Sequence, residues 1–427
     1  MRILFGLLLS SALLLGQSKT TAELSGTVRD ATQAVVPGAR VSVISTSTGF
    51  TRDSLTSIDG VFRIPLLPPG GYDVKVEKEG FSTQTRKSLS LTVGQYAVFD
   101  FQLAVGTSSQ MIEIADPLPL IQTESSQQAN TIGEQDVRNL PINRRDYLSF
   151  TLLAPGVADS KAMADSNSFR VKQTPDSGLS FYGSNGRGNN ISVDGGESND
   201  SGGGVRPTVS QEAVQEFQIN RTNYSAEHGA ARGGVINIVT KGGTNDVHGS
   251  AFGFFRHESL DAGDPFAVAL QQNRVVRVKP DSSRQQFGAT LGGPVVRDKT
   301  FFFVAYEQLR RRESAAVPVL TNFSIFQPTA AQETILAGLP AAAATPLRAA
   351  LTAPPSTVDM FTRNSGVFPF QTDDRKGLLR FDHRAGERDN FIWRFNITRG
   401  FETNQNLSAL VGLSRGFVQD VLDATTL

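Results

Sequence analysis

Two stretches in the C-terminal half alternate residue by residue in chemistry. Gln285, Phe287, Ala289 and Leu291 fall on one side of an extended chain, with Gln286, Gly288, Thr290 and Gly292 on the other. Phe391, Trp393, Phe395 and Ile397 likewise oppose Ile392, Arg394, Asn396 and Thr398. A period of two is strand geometry, and an apolar side backed by small or charged residues is the pattern of a sheet between lipid and a lumen. Residues 247–257, 300–310 and 376–383 are further candidate strands. Their connections carry the same message. Arg297-Asp298-Lys299 and Gly386-Glu387-Arg388-Asp389 are tight turns, whereas 258–283 and 313–374 are long links. Short turns alternating with long loops mark the periplasmic and outer ends of a membrane barrel. The second long link, rich in Ala and Pro over 340–355, is expected outside the cell with a short helix.

Elsewhere the chain excludes more than it assigns. Its 427 residues suffice for two or three domains. With 41 basic and 41 acidic residues it lacks the positive surface of a nucleic-acid binder. No cysteine is present, which removes disulfides, thiolate metal sites and cysteine nucleophiles. The histidines His228, His248, His257 and His383 have no serine or acid at catalytic spacing, so no catalytic residue is assigned and no enzyme is expected. At the N-terminus Arg2 precedes an apolar run from Ile3 to Leu15, the length of an export-signal core and short of the ~20 residues of a spanning helix. Residues 1–22 therefore read as a signal peptide. Beyond it, a membrane-embedded chain of this composition must be a β-barrel.

Residues 23–105 show short alternating runs broken by Pro37-Gly38, Asp59-Gly60 and Pro69-Gly70-Gly71. Strands are expected at 24–28, 39–44, 60–64, 72–76 and 97–103, the spacing of an antiparallel sandwich. After a polar break, Met111-Ile112-Glu113-Ile114-Ala115 alternates briefly. Short helices are expected from Gly133 to a stop at Pro141, and from 144 to 153 before Pro155-Gly156. A Gly, Asn and Ser-rich segment, 177–204, holds a lone strand at 191–194. Runs 214–219 and 235–240 then flank a bend whose Gly229, Gly233 and Gly234 are expected to supply backbone angles closed to other residues.

These residues carry two resemblances. The order G-T-V-x-D, P-G-A-x-V-x-V, D-G-x-F-x-I and L-x-P-G-x-Y-x-V, followed by Gly80-Phe81, resembles the carboxypeptidase regulatory-like domain, a transthyretin-like and carbohydrate-binding-like sandwich without catalytic residues. Gly233-Gly234-Val235-Ile236-Asn237-Ile238-Val239-Thr240-Lys241, preceded by the Leu118 to Val157 run with its L-P-x-N-x-R-x-Y core, resembles the plug of TonB-dependent outer-membrane receptors of the Oar-like branch. The implied fold class is mainly β. It comprises the sandwich at 23–105, an α+β plug at 106–243 and the first strands of an incomplete transmembrane β-barrel at 244–427. A barrel of that family has 22 strands and only about five fit here, so the chain is expected to be the N-terminal portion of a longer protein.

The resemblance implies an outer-membrane receptor that binds an extracellular ligand and imports it with energy from a TonB-type periplasmic partner. Sandwich and plug would then lie on the periplasmic side. Met111, Ile112, Glu113, Ile114 and Ala115 are the candidate TonB box, the strand that pairs with that partner by β-addition. Arg187, Asn190, Asp194 and Glu197 are the candidate ligand-facing plug residues. The ligand class, carbohydrate or peptide, stays open. Asp194, Glu197 and Asp200 do not have calcium-loop spacing, so neither metal nor cofactor is expected. The alternative function is surface adhesion or assembly, with carbohydrate held by the sandwich and no transport.

Overall fold

The computed structural model describes residues 20–106, 110–112, 126–141, 145, 147–159, 179–184, 188–199, 209–229, 231–265, 267–271, 274–317, 322–386, 389–404, 406–408, 412–413 and 418–426. The fold is mainly β. Residues 22–103 form β1 (Ala22–Asp30), β2 (Arg40–Ser45), β3 (Thr51–Leu55), β4 (Val61–Leu67), β5 (Gly70–Glu77), β6 (Gln84–Leu91), β7 (Tyr96–Val98) and β8 (Phe101–Leu103). β1 sits between β4 and β7, with β8 continuing along it. The second sheet runs β3-β2-β5-β6 and ends on β9 (Gln110–Ile112). In β5, Tyr72, Val74 and Val76 are buried while Asp73 and Lys75 are not, as period two requires. Both sheets feed one apolar cluster containing Leu24, Phe62, Ile64, Tyr72 and Leu103. At ~1.5–3 kcal/mol per fully buried large side chain, this cluster is what holds the unit together. β3 and β6 were not legible as strands. Their alternation is masked by Thr, Ser, Arg and Lys on solvated faces.

The middle of the chain contributes β10 (Gln128–Ile132), a helix Glu134–Asn139, a 3-10 turn Tyr147–Leu153, β11 (Val157–Asp159), β12 (Leu179–Phe181), β13 (Asn190–Val193), β14 (Gly196–Glu197), β15 (Val214–Thr222) and β16 (Val235–Thr240). Five of these strands make a sheet in the order β10-β15-β16-β13-β14. β16 lies at its centre and all six of its residues are buried. The expected lone strand at 191–194 is half of a hairpin. Val193 pairs with Gly196 across Asp194 and Gly195, whose φ angles of 48° and 88° fit a type I′ turn.

The reason for the glycines in the bend is corrected by the structure. Gly229, Gly233 and Gly234 are absent from the positive-φ residues. What forbids a side chain is proximity: a Cβ on Gly233 would lie 2.1 Å from Asn189 Oδ1, and one on Gly234 2.3 Å from the Phe181 ring. Gly229 has open space around it.

The remaining elements are β17 (His248–His257), a hairpin of β18 (Val268–Gln271) and β19 (Arg274–Arg277), β20 (Ser282–Val296), β21 (Thr300–Val317), β22 (Gly366–Arg384), β23 (Asn390–Thr403), a hairpin of β24 (Asn406–Ser408) and β25 (Gly412–Leu413), and β26 (Val418–Thr426). β17-β20-β21-β22-β23-β26 form one antiparallel sheet of six strands, one more than expected. Among the described residues the sheet is open, with β17 and β26 at its edges. β22 has 19 residues, roughly 60 Å at 3.3 Å each, well beyond the ~25 Å of an apolar membrane band. The long link accordingly shrinks at both ends, and it holds three helices where one was expected: Ala330–Ala337, Ala341–Leu351 and Pro355–Asn364.

Side-chain direction in this sheet follows the alternation. Phe287, Leu291, Phe391, Trp393 and Ile397 are exposed on the outer face, while Gln286, Arg394 and Thr398 are buried on the inner face. That inner face is covered by the five-stranded unit. Phe303, Ala305 and Leu378 of the wall share one apolar cluster with Phe217, Ile219, Ile236 and Ile238.

Candidate functional site

Around the shared apolar cluster, the inserted unit meets the wall through two buried ionic groups. The first is built on the β13–β14 turn. Its tight geometry holds the Asp194 carboxylate against β16, where Oδ1 accepts from the Thr240 amide at 2.8 Å and Oδ2 from the Thr240 hydroxyl at 2.6 Å. From the wall, Arg380 Nη1 stands 3.6 Å from Asp194 Oδ1, and Arg394 Nε 3.3 Å from Oδ2. Arg380 also donates to the Thr240 carbonyl at 2.7 Å and pairs with Asp382 at 2.8 Å; Arg394 donates to the Val193 carbonyl at 3.0 Å. The Asp194 carboxylate and the Val193 carbonyl are thereby tied to β22 and β23.

The second group centres on Arg145. Its Nη2 donates to Glu212 Oε1 at 2.9 Å, its Nε lies 3.5 Å from Glu307 Oε1, and its guanidinium covers the Phe252 ring at 4.0 Å. Glu307 on β21 accepts from Gln286 Nε2 at 2.6 Å and from the Ser210 hydroxyl. The side chains of Arg145, Glu212 and Glu307 are 12%, 14% and 8% exposed. In such a setting each charge is held only because its partners remain.

A third contact joins the N-terminal unit to the other two. The Val93 amide donates to Glu216 Oε1, and Gln218 Nε2 donates to the Val93 carbonyl at 3.0 Å. Gln215 Nε2 donates to the Pro69 carbonyl at 3.2 Å, the Asn245 amide donates to the Ser47 carbonyl at 2.9 Å, and the Arg384 guanidinium lies 5.1 Å above the Phe50 ring. Burial pushes the Glu216 carboxyl up to about 7, against the opposing pull of the Val93 amide. Between the three units lies a cleft of about 550 Å3 whose lining includes Glu134, Arg138, Lys241, His248, Lys299 and His383.

The candidate site residues fall in different places. Asp194 is 9% exposed, and both of its carboxylate oxygens are engaged by Thr240 and the wall arginines. Asn190 uses its side-chain amide to donate to the Gly229 carbonyl at 3.1 Å, within the inserted unit. Glu197 is exposed on β14, and Arg187 lies outside the described residues. Met111 and Ile112 belong to β9, which pairs in parallel with Gln84–Arg86 of β6. Glu113, Ile114 and Ala115 lie outside the described residues. No group of three or more His, Asp or Glu suited to a metal occurs among the described residues.

Sequence reading missed the anchoring roles of Arg145, Glu212, Glu307, Arg380 and Arg394. One signal was available. A charged residue on the lumen side of an alternating strand, such as Arg394, needs a buried counter-charge from whatever fills the lumen.

Comparisons with known proteins agree with this architecture. Residues 23–104 match the carboxypeptidase regulatory-like domain family, and residues 239–426 the outer membrane beta barrel domain family. The chain is 30% identical over 314 residues, 70% of its length, to the TonB-dependent transporter Oar of Myxococcus xanthus, and spans 28% of that protein's length. Among solved structures, a cohesin–X-dockerin complex from Acetivibrio cellulolyticus is 21% identical over 20% of this chain and 60% of that one, with a TM-score of 0.17. Catechol 1,2 dioxygenase from Acinetobacter radioresistens is 13% identical over 23% of this chain and 58% of that one, with a TM-score of 0.19. Likeness this slight bears on neither fold nor function. The chain is a homologue of a TonB-dependent transporter, with a carboxypeptidase regulatory-like domain ahead of outer-membrane β-barrel strands.

Proposed function

We propose that the protein is an outer-membrane receptor that binds an extracellular solute and imports it with energy from a TonB-type periplasmic partner. Residues 106–243 act as the plug, and residues 23–105 as a periplasmic sandwich without catalysis. The observation that carries this reading is the plug-to-wall contact. An insert fixed by two ion-paired groups around a modest apolar patch can be released by rearranging polar bonds, whereas a wholly apolar contact would have to be exposed to water.

The position of the N-terminal unit supports this sidedness. Its partners Asn245 and Arg384 lie at the end of the sheet that carries the tight turns, the periplasmic end of such barrels. A sandwich placed there is out of reach of a surface glycan, which disfavours the adhesion reading. Export through residues 1–22 is part of the same proposal.

The candidate TonB box has a built-in condition. Met111 and Ile112 are already strand-paired to β6, so a partner adding to this segment must first displace that pairing. Replacing Ile112 and Ile114 together with proline is expected to abolish energised uptake while leaving ligand binding to intact cells unchanged. The check is metabolite profiling of cells carrying either form, with and without a proton uncoupler. Uptake at the parental level in the double variant would remove the box from residues 111–115.

A further inference from the structure

The outer face of the sheet changes chemistry within one register step. Tyr306, Gly377 and Ile397 lie abreast on β21, β22 and β23, and the outward residues toward the tight-turn end are Val304, Phe302, Leu379, Phe381, Phe395, Trp393 and Phe391. The next row outward is Gln308, Arg375 and Arg399. Arg310 stands opposite Asp373 in the row after that, and Arg312 in the row beyond. These four arginines are 48%, 43%, 52% and 62% exposed in the order Arg310, Arg312, Arg375, Arg399.

Their height matches a membrane boundary. Arg399 is eight residues beyond Phe391, roughly 27 Å along the strand and about 20 Å along the membrane normal at a tilt near 40°. An apolar band measures ~25 Å, so the Arg375 and Arg399 row lies just inside its outer edge and the rows of Arg310 and Arg312 reach the headgroup level of the outer leaflet.

Their charges are under-compensated. Arg375 and Arg399 are direct cross-strand partners, an arrangement that destabilises a sheet unless an anion lies between them. Asp373 is shared by Arg310, Arg312 and Arg375 at 3.9, 3.6 and 3.5 Å, beyond hydrogen-bond length, while Arg399 has Asp420 at 3.3 Å. Four guanidiniums thus face two carboxylates across two strand spacings, roughly 10 Å. Guanidinium forks bind phosphate oxygens in pairs.

We propose that Arg310, Arg375 and Arg399, flanked by Arg312, form a binding site for the phosphorylated headgroup of a bilayer lipid, its acyl chains lying on Phe395, Ile397 and Tyr306. The site rests on the membrane placement of the sheet and not on transport. The test is lipid retention by the protein purified from outer membranes, delipidated and offered vesicles of phosphatidylcholine with and without phosphatidic acid.

The parent is expected to retain phosphatidic acid in preference to phosphatidylcholine. Arg375→Gln with Arg399→Gln should lower that retention about fivefold per arginine removed, with phosphatidylcholine binding unchanged. Asp373→Asn should raise it, because the carboxylate competes with the phosphate; a purely structural role for Asp373 predicts no gain. Arg348→Gln with Arg363→Gln, the same charge change placed on the outer helices, should have no effect.

Equal retention by parent and the Arg375/Arg399 variant overturns the proposal, as does an equal loss in the outer-helix variant. Displacement of bound lipid by inorganic phosphate at matched concentration shows a free-anion site and overturns the lipid assignment. A protein that fractionates away from membranes altogether overturns the placement itself. Normal fractionation with unchanged retention overturns this inference alone.

Discussion

Replacing Asp194 with alanine is expected to cost about 3–5 kcal/mol in the stability of the plug-to-wall assembly, the usual loss when one member of a buried ionic group is removed. Arg380 would keep Asp382 at 2.8 Å, but Arg394 would keep only the Val193 carbonyl. A guanidinium 4% exposed, with a second cation beside it, would then have no carboxylate. Thr240 would lose the acceptor of both its amide and its hydroxyl. Asp194→Asn should fall between the two, since an amide oxygen still accepts from Thr240 while the charge is gone. Pairing Asp194→Ala with Arg394→Leu should recover part of the loss by removing the stranded cation. The measurement is denaturant unfolding followed by protease access to the plug, with the single tryptophan, Trp393, reporting on the neighbouring wall. A loss below about 1 kcal/mol for Asp194→Ala, or a double variant no better than the single, would remove Asp194 from its anchoring role.

The second large effect is expected from pH. Glu216 titrates near 4.5 when free and is pushed up to about 7 by burial against Val93, so the docked state prefers the protonated acid. Its contribution to docking is therefore complete below the unfolded value and is lost as pH rises through the folded one. The difference corresponds to about 3 kcal/mol at 1.36 kcal/mol per unit. Attachment of the N-terminal unit to the plug should weaken from about pH 5 to about pH 8, and Glu216→Gln, which cannot ionise, should flatten the curve near its low-pH level. Protection of the Val93 amide from hydrogen exchange as a function of pH reads this directly. A parental curve as flat as the variant's would show that Glu216 does not govern the contact.

Much of the strand pattern was legible because a two-sided environment writes itself into alternation. The Phe391 to Thr398 run gave both the strand and its inward residues, and 235–240 gave a strand of identical bounds. The losses have separate physical causes. β26, with Asp420 and Asp423 amid Val and Thr, lacks the aromatic contrast that marked its neighbours. Arg310 to Glu313 of β21 and Asp373 to Lys376 of β22 carry charges on both faces, which hides the alternation and makes the outer parts of these strands read as loop. The anchoring role of Asp194 was not legible in its Gly-rich surroundings. Its arginine partners are about two hundred residues away in sequence, and pairings of that separation leave no local trace. The glycines at 233 and 234 were read as conformational when their constraint is steric, a distinction only the positions of Asn189 and Phe181 reveal.

The order of strands in the five-stranded sheet gives it a mechanical grain. β10 is an outer strand with five residue pairs to β15, whereas β16 is enclosed on both sides and β13 carries the Asp194 turn. Tension entering ahead of Gln128 reaches β10 first. On the proposed function, a pull transmitted along the backbone would have to strip β10 from β15 before it reached β16 and the Asp194 turn.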